Sequence, residues 1–261
     1  MHKTCTRTRT GTTFAVAMLL AALGGRSLAT PEDDRYVNLL TDKPLLHVAA
    51  FEQAPTIDGA IDEQVWTEAD IATPFWHFQE GVASKHATWA KMGIDADSIY
   101  VAFRCEEAEM AKLKVGKLPE DSMALFANDH VELFLMPDAR GGPFYHFSVD
   151  VAGNRHDERE SDGSWGCNWQ AAVSLGEGVW SVEMHIPRVA VGLDDPSISL
   201  ANFCRTRRLA PGETSAWAKT FGVFHNPARF GRLVYTPGGE VDLTAVTLRQ
   251  PQVGENTLDV T

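Results

Sequence analysis

The chain has 261 residues, of which 44% are apolar and 22% charged, with 13 Phe and 7 Trp. That composition excludes a disordered chain, a collagen-like repeat and a polytopic membrane protein, and it supplies one sizeable core. The formal charge is −12, and a surface so acidic repels nucleic-acid phosphate and anionic lipid, which leaves neutral or cationic ligands.

Residues 1–29 carry Lys3, Arg7, Arg9 and Arg26 and no acid. An apolar run follows the first three bases at Phe14–Leu23, and Ser27-Leu28-Ala29 offers small residues for cleavage. This is the pattern of a secretory signal peptide, and the run is short for a bilayer span. It predicts export to the periplasm or outside the cell, with no membrane span after cleavage. Cys5 leaves with that segment, so Cys105, Cys167 and Cys204 remain: at most one disulfide, and no C-x-x-C motif. Residues 30–45 are polar and read as a leader or linker.

From there the chain is almost all strand pattern. Period-2 alternation marks strands at His86–Ile94, Ile99–Cys105, Val131–Leu135, Tyr145–Val151, Trp169–Leu175 and Trp180–Ile186, with further strands at Ile198–Arg205, Ala216–Phe221 and Gly231–Tyr235. The turns are rich in Gly, Asp and Pro. Helical patterns are confined to single turns at Glu63–Ala69 and Arg188–Val191. This predicts an all-β fold, an antiparallel β-sandwich of jelly-roll or immunoglobulin-like type. One domain spans 46–236, and 237–261 is an extension or tail with a weak strand at Val241–Leu248.

Motifs for nucleophilic, phosphate-binding or zinc-protease chemistry are absent: there is no G-x-S-x-G, Walker A loop or H-E-x-x-H. The acidic clusters Glu106-Glu107-Glu109 and Asp157-Glu158-Glu160-Asp162 read as solvated loops, places for a structural calcium ion at most. The strands around Val131–Leu135 and Tyr145–Val151 say more. With Val131, Leu133, Leu135, Phe147 and Val149 inward, the other face carries His130, Glu132, Phe134 and Met136 beside Phe144, His146, Ser148 and Asp150. Flat aromatic area mixed with fixed hydrogen-bonding groups suits a sugar. A second packing face under a loop, or a metal held by two His and a Glu, fits the same pattern.

An ordered set of segments is similar to family 9 carbohydrate-binding modules: Ile57–Glu63 with Trp66 (IDGAIDEQVW), Ile99–Phe103 (IYVAF), Asn128–Leu135 (NDHVELFL), Phe147–Asn154, Trp180–Pro187 (WSVEMHIP), Asn202–Arg205 and Pro227–Leu233 (PARFGRL). The match runs over roughly residues 46–236. Asp58-Gly59, Trp66 and Phe230-Gly231 read as scaffold, the last with Gly where the backbone passes close.

The resemblance implies a DOMON-like β-sandwich and a non-catalytic module that holds sugar between two stacked rings. The ring positions fall at Phe126 and Phe224, expected as jaws around a pyranose, and the sugar-contacting carboxylate at Glu132. The family's Arg position holds Ser148, with His146 one same-face step away. Arg205 and Asn226 are further contacts, as is Asn202. The expected partner is a polysaccharide or oligosaccharide in carbohydrate catabolism, with no cofactor beyond a structural calcium ion. A haem-binding electron-transfer protein using Met136, His146, Met184 or His185 is the alternative that relatives of this sandwich suggest. A glycan hydrolase is less favoured, because no acid/base pair can be argued, and a structural envelope role stays open.

Overall fold

The computed structural model describes residues 43–114, 116–194 and 198–235, and two short strands beyond them. The signal-peptide and most of the leader expectations therefore lie outside the described residues. In chain order the strands are β1 (Leu45–Ala50), β2 (Trp76–His77), β3 (Thr88–Ile94), β4 (Ser98–Glu106), β5 (His130–Met136), β6 (Tyr145–Asp150), β7 (Arg155–Arg159), β8 (Gln170–Gly176), β9 (Val179–Pro187), β10 (Ile198–Arg207), β11 (Glu213–Ala216) and β12 (Gly231–Tyr235). One α-helical turn, α1 (Arg188–Val191), and 3-10 turns such as Gln64–Thr67 and Met123–Ala127 complete this unit. In a separate compact unit, β13 (Val246–Leu248) pairs antiparallel with β14 (Leu258–Val260). The weak C-terminal strand is thus present in part. Among the described residues no helix is long and apolar enough to cross a membrane.

The strands form one folded-over sheet in the order β7-β6-β5-β10-β12-β1-β3-β4-β9-β8, with β11 and β2 branching from β10. Its hinge is β1. Leu45–Val48 pair with β12 and Ala49–Ala50 pair with β3, both in parallel. The all-β expectation holds, but the antiparallel one is amended: the sheet is mixed, nearly closed and barrel-like. Side-chain bonds join the two ends of the path. The Trp169 indole, just before β8, donates to Asp157 Oδ1 of β7 at 2.8 Å, and Arg155 donates to the Trp169 carbonyl.

Inward alternation fills the space between the two halves. Phe147, Leu133 and Phe203 come from one half, and Phe103, Val182 and Met184 from the other, all fully buried. Phe103 and Phe203 meet edge to face, ring centroids 5.8 Å apart. Cys105 lies in this core, while Cys204 is buried on the opposite face of β10. Cys105, Cys167 and Cys204 are all free thiols. Burial pushes the Cys105 thiol up to about 11 and the Cys167 thiol to about 12, so neither is a ready thiolate.

The motif segments cover the other face of β4. Trp66 and Phe51 pack on Tyr100 and Ala102. Glu183 of β9 accepts from Asp58 N (3.1 Å), Gly59 N (2.9 Å) and Trp66 Nε1 (2.8 Å), so one carboxylate ties the D-G turn and the tryptophan to the sheet. Gly59 has φ +90°, and a Cβ there would meet Ser174 N at 2.5 Å. The close approach expected at Gly231 is made by the Trp217 ring.

Candidate functional site

The register of β5 against β6 builds the site. His130 pairs with Asp150, Glu132 with Ser148 and Phe134 with His146, while Val131, Leu133 and Phe147 face the core. The predicted division of faces is therefore the observed one. The outer face is mostly covered: Phe134, Cys204, Ala216 and Phe230 form a small cluster there, with Phe144 and Phe224 at its margin.

A third strand joins this face. The acidic stretch read as a loop at Asp157-Glu158 is strand β7, which pairs with β6 so that His156 lies beside Ser148 and Glu158 beside His146. The segment Arg-His-Asp-Glu-Arg has no apolar alternation, so hydrophobic periodicity could not reveal it. The loop before the 3-10 turn Pro227–Arg229 then brings in His225. Its only sequence signal is a polar residue beside an aromatic one.

The result is a chain of imidazoles and carboxylates. Glu132 accepts from His146 Nε2 at 2.8 Å and faces His130 Nε2 at 3.3 Å. His130 donates through Nδ1 to the Asn128 carbonyl at 2.8 Å. The other nitrogen of His146, Nδ1, lies 3.0 Å from Glu158 Oε1, and His225 Nε2 lies 3.0 Å from that same oxygen. Ser148 Oγ lies 2.9 Å from His146 Nε2. His156 is buried and makes no hydrogen bond through either ring nitrogen. Its Nε2 stands 3.7 Å from Glu158 Oε2.

Charge follows from these contacts. Burial opposes ionisation of Glu132, but hydrogen bonds from His130 and His146 outweigh it and hold the carboxyl far below its usual range. Burial likewise opposes a charged His146, and Glu132 and Glu158 outweigh it and raise its pKa. The His146 hydrogen bond, with help from His225 against burial, lowers Glu158 to about 2.

The two predicted rings are both half-buried on this face. Phe126 packs on His130, His156 and His146, at 5.2, 5.5 and 6.1 Å between centroids. Phe224 packs on Phe78 and Phe134, at 5.2 and 6.1 Å. Between them His146 stacks on Phe134 at 4.1 Å and 10°. The two rings therefore meet the outer face at different partners, Phe126 at the imidazoles of His130, His146 and His156 and Phe224 at the rings of Phe78 and Phe134. Both border one face lined with aromatic and imidazole rings.

The remaining predicted residues divide. His146 and Ser148 belong to the cluster. Glu132 is only 5% exposed, with both oxygens engaged by imidazoles, so it orients His146 and is not open to a sugar. Asn226 caps the 3-10 turn after His225 through its backbone carbonyl. Arg205 leaves the set. It pairs with Val131, so it points into the interior, where it donates to the Glu106 carbonyl (2.9 Å) and Thr88 Oγ1 (3.0 Å). Asn202 is consumed by a pair of bonds to the Ala218 backbone. The loop acid Glu107 is buried under the Arg207 fork, at 2.6 and 3.0 Å. Of the haem alternative's residues, Met184 is in the core and His185 is bonded to Ser98 at 2.9 Å.

Several solved structures are similar to this chain. A protein from Bacteroides uniformis, whose carbohydrate binding is itself a proposal, matches at TM-score 0.60 and 16% identity over 74% of this chain and 99% of that one. A family 9 carbohydrate-binding module from Caldicellulosiruptor kristjanssonii in complex with glucose matches at 0.54 and 16%, over 75% and 97%. The fold is that of a family 9 carbohydrate-binding module. A module of the same family and organism in complex with cellotriose agrees, at 0.55 and 17%, over 78% and 99%. No protein-family model and no curated protein matches the chain.

Proposed function

We propose that this chain is an exported, non-catalytic carbohydrate-binding protein that serves carbohydrate catabolism. It binds a polysaccharide or oligosaccharide on the outer face of β5, β6 and β7. One arrangement carries the reading: Phe126, Phe144, Phe224 and the exposed His225 border a single face of a fold shared with modules that hold glucose and cellotriose. Ring faces offer sugar C–H groups a stacking surface, and Glu158 and His225 offer hydroxyls an acceptor and a second polar partner. This surface favours a chain laid across several rings over one pyranose clamped between two.

Retention of the purified protein on insoluble cellulose and xylan, with elution by soluble oligosaccharide, tests the reading. A folded protein retained by neither, nor by other neutral glycans, overturns it. A reducing-sugar assay on the same samples stays flat if the protein only binds.

A further inference from the structure

We propose that His146, Glu158 and His225 form a binding site for a divalent first-row transition metal ion of the zinc class. Their donor atoms, His146 Nδ1, Glu158 Oε1 and His225 Nε2, all lie within 4.8 Å of one another. Both imidazole nitrogens are 3.0 Å from the shared carboxylate oxygen. Zinc–nitrogen and zinc–oxygen bonds of about 2.0–2.2 Å at a tetrahedral angle put ligand atoms roughly 3.4 Å apart. The two nitrogen–oxygen pairs therefore need to open by only a few tenths of an ångström to admit an ion, and the two nitrogens already lie within 4.8 Å of each other.

Two features beyond the trio point the same way. The far nitrogen of His146 meets Glu132 Oε2 at 2.8 Å and Ser148 Oγ at 2.9 Å. That is the carboxylate–histidine–metal arrangement, in which the outer carboxylate fixes the proton on Nε2 and turns the lone pair of Nδ1 toward the ion. It also gives Glu132 a purpose, since the residue is closed to any other ligand. Secondly, His156 is 3% exposed and has no hydrogen bond on either nitrogen, a costly state for a buried polar group. Its Nε2 lies 3.7 Å from Glu158 Oε2 and its Nδ1 4.0 Å from Asp121 Oδ1, so an unpartnered imidazole stands beside the trio, and water completes the coordination of the ion. Imidazole-rich donors favour zinc-class ions over calcium, which takes six to eight oxygens. His225, with 44% of its side chain exposed, leaves the entry path open. The inference stands on these contacts and does not depend on sugar binding.

The test is calorimetric titration of chelator-treated full-length protein with ZnCl2, run beside a Co2+ titration read by visible absorption. The expected result is one ion per chain and a Co2+ spectrum of four-coordinate intensity. His225→Ala, on an exposed loop, and Glu158→Gln each weaken Zn2+ binding about 100-fold or more. Glu132→Gln, acting through His146, weakens it about 10- to 100-fold. His77→Ala, away from the cluster, changes nothing. Absence of stoichiometric binding by folded wild type, or unchanged affinity in both His225→Ala and Glu158→Gln, overturns the proposal. Zn2+ binding without glycan binding, or the reverse, separates this site from the carbohydrate reading.

Discussion

Replacing Glu183 with Ala tests how the chain holds its first motif to the sheet. The carboxylate accepts three N–H groups, and Ala removes all three acceptances at once. The Gly59 and Trp66 donors bond to it in buried surroundings. Each buried donor left without an acceptor costs about 1–3 kcal/mol. Two of them, plus a smaller loss at the half-exposed Asp58 N–H, give about 3–6 kcal/mol, a large part of a typical domain's 5–15 kcal/mol. Trp66→Phe removes one donor while keeping most of the ring that packs on Phe51, centroids 5.3 Å apart. In the Glu183→Ala background that second change deletes an orphan, so the double variant is less destabilised than the two singles added, by about 1–3 kcal/mol. Urea unfolding followed by circular dichroism measures all four proteins. A Glu183→Ala cost below about 1 kcal/mol, or strict additivity with Trp66→Phe, refutes the reasoning.

Gly231→Ala drives a methyl group into the Trp217 ring and toward the Pro44 carbonyl; thermal unfolding is expected to show a loss of about 2 kcal/mol or more from such overpacking, and an unchanged melt contradicts the close approach. Glu107 is 1% exposed: burial alone would raise its pKa, but the Arg207 fork, with the Glu109 N–H, outweighs it and holds the carboxyl below its usual range. A lowered folded pKa supplies stability that is present above the unfolded value near ~4.3 and lost as pH falls through the folded value. Glu107→Gln is therefore expected to cost about 3–5 kcal/mol at pH 7, with the gap to wild type narrowing toward pH 3; a gap that widens on acidification contradicts the sign.

What could be read from the sequence was set by where apolar residues alternate. Strands β3, β4, β5, β6, β8, β9 and β12 show that alternation, and all were placed within a few residues. The segment around Ala216–Phe221 was shifted, because β11 ends at Ala216 and Trp217 turns inward against Phe203. The parallel hinge β1 carries no mark that separates it from an antiparallel edge. At the site, the β5–β6 face was legible because period 2 fixes both faces once one is assigned to the core. The third wall was not: β7 is polar on both faces, and His156, Glu158 and His225 are united only by tertiary structure. Arg205 was misplaced for a different reason. The resemblance implies it as a sugar contact, yet its register opposite Val131 commits it to the interior, where the Ala87 carbonyl, Thr88 Oγ1 and the Glu106 carbonyl accept from it and Glu107 Oε2 lies 3.7 Å away.

Calorimetric titration with cellotriose bears most directly on the carbohydrate account, comparing wild type with Phe126→Ala and Phe224→Ala. Each stacked ring contributes about 1 kcal/mol, so each substitution is expected to weaken binding about fivefold while the fold persists by circular dichroism. A folded wild type that gives no heat with cellotriose, glucose or xylan oligomers, or affinities that survive both substitutions unchanged, contradicts it.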